Sequence, residues 1–227
     1  MLIVAAAWPV QAASLLPSLT EPAAWTAALL PNQKLPRTRF TAVDLDGVRA
    51  LRIEAQGSYG NLLHELPADA RSARQLSWRW RVERFAEGTD LRRKTGDDTA
   101  AKVCLMFDMP LDRVPFIERQ TLRMARAAAG DGLPAATLCY VWDATLPART
   151  VLPNAYTRRL RWIVLQGAGG SLARWQSERR DVAADFIAAF GDESREVPPL
   201  RAVLVGADAD NTGGSSVAHV ADLELLP

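Results

Sequence analysis

Asp208 and Asp210 stand two apart at the end of an apolar run, Ala202-Val-Leu-Val-Gly-Ala, and Asn211, Thr212 and two glycines follow them. In an extended chain residues i and i+2 face the same way, so two carboxylates, an amide and a hydroxyl gather at one strand end, with glycine to turn the chain. Oxygen donors at i, i+2 and i+3 resemble the opening of a calcium loop, without the later glycine and bidentate glutamate of the helix-loop-helix version. The same groups can bond sugar hydroxyls, or tighten the turn through Asx hydrogen bonds with no ligand at all. Calcium at Asp208, Asp210 and Asn211 is therefore one expectation, and no cofactor the other.

A second cluster, Lys94-Thr-Gly-Asp-Asp-Thr, precedes another apolar run. Adjacent carboxylates cannot share a face, so one of Asp97 and Asp98 can enter a groove as an acid, base or cation ligand while the other caps the turn. Gly-Asp-Asp is also ordinary turn chemistry. Aromatic residues form a third group: Trp78, Trp80, Tyr140, Trp142, Tyr156, Trp162 and Trp175. Sugars pack their C–H faces on such rings and need nearby Asp, Asn and Arg for their hydroxyls. Trp78 and Trp80 alternate in step with Leu76 and Val82, which marks them as core; the opposite face, with Arg79 and Arg81, is the better groove candidate. The residues expected to contact a ligand are Arg79, Asp97, Asp98, Tyr140, Trp142, Asn154, Tyr156, Asp208, Asp210, Asn211 and Thr212.

Other chemistries find little support. His64 and His219 are the two imidazoles, both in strand-like contexts, and no Gly-x-Ser-x-Gly accompanies them, which disfavours a hydrolase triad. Gly167-Ala-Gly-Gly lacks the lysine and spacing of a phosphate loop and reads as a turn. With 27 basic and 26 acidic residues the net charge is +1, and arginine is spread along the chain, so nucleic acid is not expected as a partner.

The elements that must hold these residues are mostly strands. Residues 38–43 and 48–55 flank Asp46-Gly47 as a hairpin, and 60–66, 75–83, 99–107, 135–142, 158–166, 202–207 and 216–225 complete nine strands. Strands in series, not alternating with helices, point to a mainly β fold: an antiparallel two-sheet β-sandwich, jelly-roll-like. Two helical insertions interrupt it. Residues 114–129 carry Phe116, Ile117, Leu122, Met124 and Ala125 between arginines, an amphipathic pattern whose apolar face is expected to cover the sandwich; residues 181–190 form the second, with Asp181 as N-cap and Gly191 at the end.

Residues 1–12 form an apolar run ending in small residues, the pattern of a signal-peptide remnant, although no basic residue precedes it. The run is too short and too soon broken by Pro9 to span a bilayer. A proline-rich approach, residues 13–37, leads into a single domain at 38–227. A periplasmic or secreted location follows as an expectation. Cys104 and Cys139 lie in strand-like runs and fit one bridge between neighbouring strands or two buried thiols equally well.

Five blocks in order, Leu76-Ser-Trp-Arg-Trp-Arg-Val, Lys94-Thr-Gly-Asp-Asp, Leu138-Cys-Tyr-Val-Trp, Val151-Leu-Pro-Asn-Ala-Tyr-Thr and Asp208-Ala-Asp-Asn-Thr-Gly, resemble the signature of an exported bacterial family catalogued as a domain of unknown function, number three thousand and forty-seven. The resemblance spans residues 24–225 and implies a jelly-roll-like sandwich of the kind seen in sugar-binding modules, without an activity. Here Ala155 replaces the usual proline of Asn-Pro-Tyr, and Cys104 and Cys139 stand where apolar or small residues are usual. The expectation for function is thus the binding of a glycan or envelope polymer in a polar groove at the sheet rim. The alternatives are a glycan hydrolase or lyase with a carboxylate pair from Asp97, Asp98, Asp208 and Asp210, and a structural envelope or assembly protein, which would show a broad apolar patch, on the helix 114–129, in place of a concave polar pocket. Oligomeric state is not legible in the sequence.

Overall fold

The computed structural model describes residues 13–30, 33–129 and 132–227; the leader expected at 1–12 lies outside them. Two sheets stack face to face. One runs β1 (Thr26–Ala28), β4 (Tyr59–Glu65), β11 (Leu200–Asp208), β6 (Lys102–Phe107), β7 (Ala136–Trp142), β9 (Leu160–Gln166), β8 (Val151–Pro153). The other runs β10 (Gln176–Asp181), β5 (Gln75–Arg84), β12 (Ser215–Leu226), β3 (Val48–Gln56), β2 (Arg39–Leu45). The fold is therefore the expected mainly β two-sheet sandwich with two α-helices. One pairing departs from the expected antiparallel pattern: β7 and β9 run parallel, with β8 inserted antiparallel at the sheet's edge.

The nine strands read from the sequence are present, and three more appear. All three, β1, β8 and β10, are edge strands. An edge strand need not alternate strongly, and β10, Gln-Ser-Glu-Arg-Arg-Asp, carries no apolar residue. The β2–β3 hairpin turns at Asp46 and Gly47, with φ of 53° and 74° and Leu45 opposite Val48, the geometry for which Asp-Gly is suited.

The core follows from alternation. Leu76, Trp78, Trp80 and Val82 of β5 point inward and are essentially fully buried, meeting Val103, Leu105 and Phe107 of β6 and Leu138, Tyr140 and Trp142 of β7. Ring pairs bridge the layers: Trp78 to Tyr140 at 5.2 Å and Trp80 to Trp142 at 6.0 Å between centroids. The second helix, α2 (Val182–Phe190), contacts β7, β8, β9 and β10, and contributes Phe186 and Phe190 to the same core, Phe186 lying 4.7 Å from Phe107. Asp181 caps it by accepting from the backbone N–H groups of Ala183 and Ala184, as the sequence predicts. Gly191 stays right-handed at φ −64°, so its value is proximity: a Cβ there would lie 2.4 Å from the Ile187 carbonyl. Part of the stretch 13–37 also belongs to the sandwich, for Leu16, Leu19 and Trp25 are buried in its core.

The outward face of the seven-stranded sheet is not bare. Cys104, Cys139, Trp162 and Leu204 form a second apolar cluster there, roofed by Leu91 from the β5–β6 connection and Leu146 from the β7–β8 connection. Cys104 and Cys139 are direct cross-strand partners and form a disulfide, which settles the question left open by the sequence.

The first helix, α1 (Phe116–Ala129), departs from expectation. Leu122 is buried, but Phe116, Ile117 and Met124 are 65%, 79% and 68% exposed. Its largest apolar side chains face solvent, because the face turned to the sandwich presents the small Ala125 and the charged Glu118 alongside Leu122.

Candidate functional site

Three connections meet at one end of the seven-stranded sheet. The β5–β6 connection supplies Asp97 and Asp98, the β8–β9 turn Asn154 and Tyr156, and the β11–β12 turn Asp210, Asn211 and Thr212. The first is folded back on itself by backbone bonds from Asp90 N–H to the Gly96 carbonyl and from Asp98 N–H to the same carbonyl, each 2.8 Å. Gly96 permits this approach, since a Cβ there would sit 2.7 Å from the Asp90 nitrogen.

The four aspartates are not equivalent. Asp208 closes β11 with its carboxylate buried: one oxygen accepts from Thr99 N–H at 2.7 Å and Thr99 Oγ1 at 2.6 Å, the other from Lys102 Nζ. Burial, the largest influence, works against the Lys102 ammonium, but the Asp208 charge, Tyr59, the Asp208 hydrogen bond and the Asp97 charge together outweigh it and leave the Lys102 pKa raised. Asp98 ties two turns together, accepting from Asn211 N–H at 3.0 Å and from Thr212 N–H and Oγ1 at 2.8 and 2.6 Å. Asp97 accepts one bond, from Asn154 Nδ2 at 2.5 Å, and its Oδ1 is buried without a partner. Burial, with the Asp208 charge adding to it against the Asn154 bond, pushes Asp97 up to about 6. Asp210 is half-buried, its Oδ1 is likewise unpartnered, and burial followed by the charges of Asp208 and Asp98 raises its pKa.

Tyr156 joins the turns at the surface. Its hydroxyl donates to Asn211 Oδ1 at 2.5 Å and lies 3.2 Å from the Lys94 carbonyl, and Lys94 Nζ stands 5.2 Å from the ring centroid. The ring remains 57% exposed. Desolvation and the charges of Asp97, Asp210 and Asp98 hold the phenol pKa above its usual value.

A family model described as "Protein of unknown function (DUF3047)" matches residues 23–224, almost the whole chain. The protein belongs to the DUF3047 family. No curated protein sequence matches it significantly. Among solved structures it is similar to the family 11 carbohydrate-binding module of the cellulosomal cellulase Lic26A-Cel5E of Clostridium thermocellum, at 8% identity over 96% of each chain with a TM-score of 0.45. It is also similar to a native family 12 xyloglucanase from Bacillus licheniformis, at 8% identity over 81% of this chain and 83% of that one, TM-score 0.44.

In this DUF3047 chain eight of the eleven expected ligand residues converge: Asp97, Asp98, Asn154, Tyr156, Asp208, Asp210, Asn211 and Thr212. Three do not. Tyr140 and Trp142 are 0% and 1% exposed in the intersheet core, where the Tyr140 hydroxyl donates to Asp185 at 2.9 Å, so neither ring can meet a ligand. Arg79 projects from the outward face of β5 in the other sheet, paired with Asp222 and set 5.7 Å from the Trp175 ring. Its neighbour in alternation, Arg81, is likewise taken by Asp46 and Glu83. On that face both guanidiniums are thus engaged in ion pairs, away from the rim where the other residues meet. The calcium trio also fails as a loop, since both Asp208 oxygens are bonded to Thr99 and Lys102 and Asn211 Oδ1 accepts the Tyr156 hydroxyl. Among the described residues no group of three or more His, Cys, Asp or Glu side chains is arranged to hold a metal ion. The imidazoles do not meet: His64 is on β4 beside Trp25, and His219, its pKa lowered by burial, is on β12 beside Glu83.

Sequence reasoning missed Lys102 and Thr99, whose signal is the single lysine opening an otherwise apolar central strand. It also missed a cavity of about 520 Å³ that Tyr156 lines from one side. Leu122, Ala125, Leu133 and Leu160 give it apolar walls. At its margin Glu118 accepts from Arg158 at 3.1 Å and pairs with Arg159, which also holds Glu193.

Proposed function

We propose that the protein is an exported carbohydrate-binding protein that holds a glycan or cell-envelope polymer at this rim. The observation that carries the reading is Tyr156: an exposed ring fixed between the Asp97–Asp98 and Asp210–Thr212 turns and bordering a cavity of about 520 Å³. A clamped aromatic plate offers a sugar face low-entropy contact area. Export is supported by the apolar leader run and by the Cys104–Cys139 disulfide, a bond that persists in oxidising compartments. The chain has no described helix long and apolar enough to cross a membrane.

Asp97 also favours a second reading, general-acid cleavage of a glycan, because a carboxyl near 6 keeps its proton in mildly acid conditions where an ordinary aspartate is ionised. Such hydrolysis needs an opposed free carboxylate about 5 to 9.5 Å away across a cleft. Asp98 and Asp208 are engaged in bonds within the protein, which leaves Asp210 for that role.

The test is calorimetric titration and thermal shift against a panel of soluble glycans, with calcium and with chelator. A binding glycan raises the midpoint by mass action. Tyr156→Ala is expected to weaken it about tenfold, the magnitude of one lost aromatic contact. Reducing-sugar release that depends on Asp97 and Asp210 would replace the binding reading with the catalytic one. No response to any glycan would refute both and favour a structural role.

A further inference from the structure

We propose that α1 is a membrane-surface helix that docks the protein on an anionic lipid bilayer. At 100° per residue, Phe116, Gln120, Met124 and Ala127 share one arc of the helix with Ile117 beside them. That arc points away from the sandwich, which α1 meets through Glu118, Leu122 and Ala125. Arg119, Arg123 and Arg126, spaced four and three apart, fall together along one flank of the apolar arc. The Arg119 guanidinium lies 5.6 Å from the Phe116 ring, and Arg126 Nε donates to the Leu133 carbonyl. None of the three forms an ion pair with a carboxylate among the described residues, whereas Glu118, the one acidic residue of the helix, is taken by Arg158 and Arg159.

An outward apolar stripe beside an uncompensated cationic flank matches the boundary of an anionic bilayer in both respects. The large side chains enter the headgroup–acyl border while the guanidiniums stay among phosphates. Charge complementarity selects an anionic surface, and a fluid one suits a convex stripe because it needs no preformed groove. This surface is distinct from the polar rim, so the inference stands or falls independently of glycan binding.

Flotation with vesicles tests it, comparing phosphatidylcholine alone with phosphatidylcholine containing about 30 mol % phosphatidylglycerol. The protein is expected to float with the anionic vesicles and not the neutral ones, and to be released at high salt. Arg123→Gln should lower the partition coefficient about fivefold, and Ile117→Asp with Met124→Asp more than tenfold. These side chains are exposed, so thermal melts of the variants should superimpose on that of the parent; Met124→Gln, a milder change, gives an intermediate loss. The proposal is overturned if the folded protein ignores anionic vesicles, if it binds neutral ones equally, or if the double variant binds undiminished. Self-association abolished by the same variants, without vesicle binding, would assign the stripe to a second copy of the chain instead.

Discussion

Asp97→Asn isolates the free energy stored at the rim. In the fold the carboxyl titrates near 6, against 3.8 for its ordinary value, because burial and the Asp208 charge disfavour the anion more than the single Asn154 bond favours it. The native state therefore holds a proton that the unfolded chain releases between roughly pH 4 and 6, and stability contributed by this group falls as pH rises through that window. Above pH 6 the full gap applies, about 3 kcal/mol at most. Asparagine keeps an oxygen to accept the Asn154 bond and removes the buried charge. Chemical denaturation at pH 8 should find the variant more stable by about 1 to 3 kcal/mol, and at pH 4.5 the difference should have shrunk by about 2 kcal/mol. Two stability curves that run parallel from pH 4.5 to 8, or a variant clearly destabilised at pH 8, would refute the reasoning. Loss of glycan binding by the stabilised variant would then mark Asp97 as a contact, since a misfolded site could not be more stable.

Three further outcomes follow from the same geometry. Lys102→Met leaves the buried Asp208 carboxylate without its cation and should cost about 3 to 5 kcal/mol, with much of that loss recovered in a Lys102→Met, Asp208→Leu double variant; a denaturant double-mutant cycle measures it. Reducing the Cys104–Cys139 disulfide, which closes a loop of 35 residues, should lower stability by about 2 to 4 kcal/mol, read as a shift in the urea midpoint with and without dithiothreitol. Tyr156→Phe should change stability by less than about 1 kcal/mol, since its hydroxyl is near the surface, yet weaken any glycan that relies on a fixed ring.

The sandwich was legible because its central strands alternate so regularly. Leu76-Ser-Trp-Arg-Trp-Arg-Val can only bury one face, and it does. The edges were not legible: β1 and β8 are three residues long and β10 is wholly polar, so pairing, not pattern, makes them strands. Apolar composition also misled at two places. Tyr140 and Trp142 lie in a strand buried on both faces, where an aromatic has no route to a ligand, and α1 turns its large apolar residues outward although its periodicity is that of an ordinary covering helix. Periodicity reports that a helix has two faces, not which one meets the protein.

The rim itself shows why residue type was a better guide than residue role. Asp, Asn and Thr gathered as read, but a turn rich in such groups first satisfies its own backbone, and Asp98 and Asp208 are consumed in doing so. What remains at the surface after that internal bonding is a phenol ring whose hydroxyl is already engaged, while one oxygen of Asp97 and one of Asp210 stay buried without a partner. Substitutions should sort accordingly. Asp98→Ala removes the acceptor for two turn N–H groups and should loosen the fold, whereas Asp210→Asn should leave the fold intact and act on binding alone; equal destabilisation by both would mean that the four aspartates form one structural unit with nothing left over for a ligand.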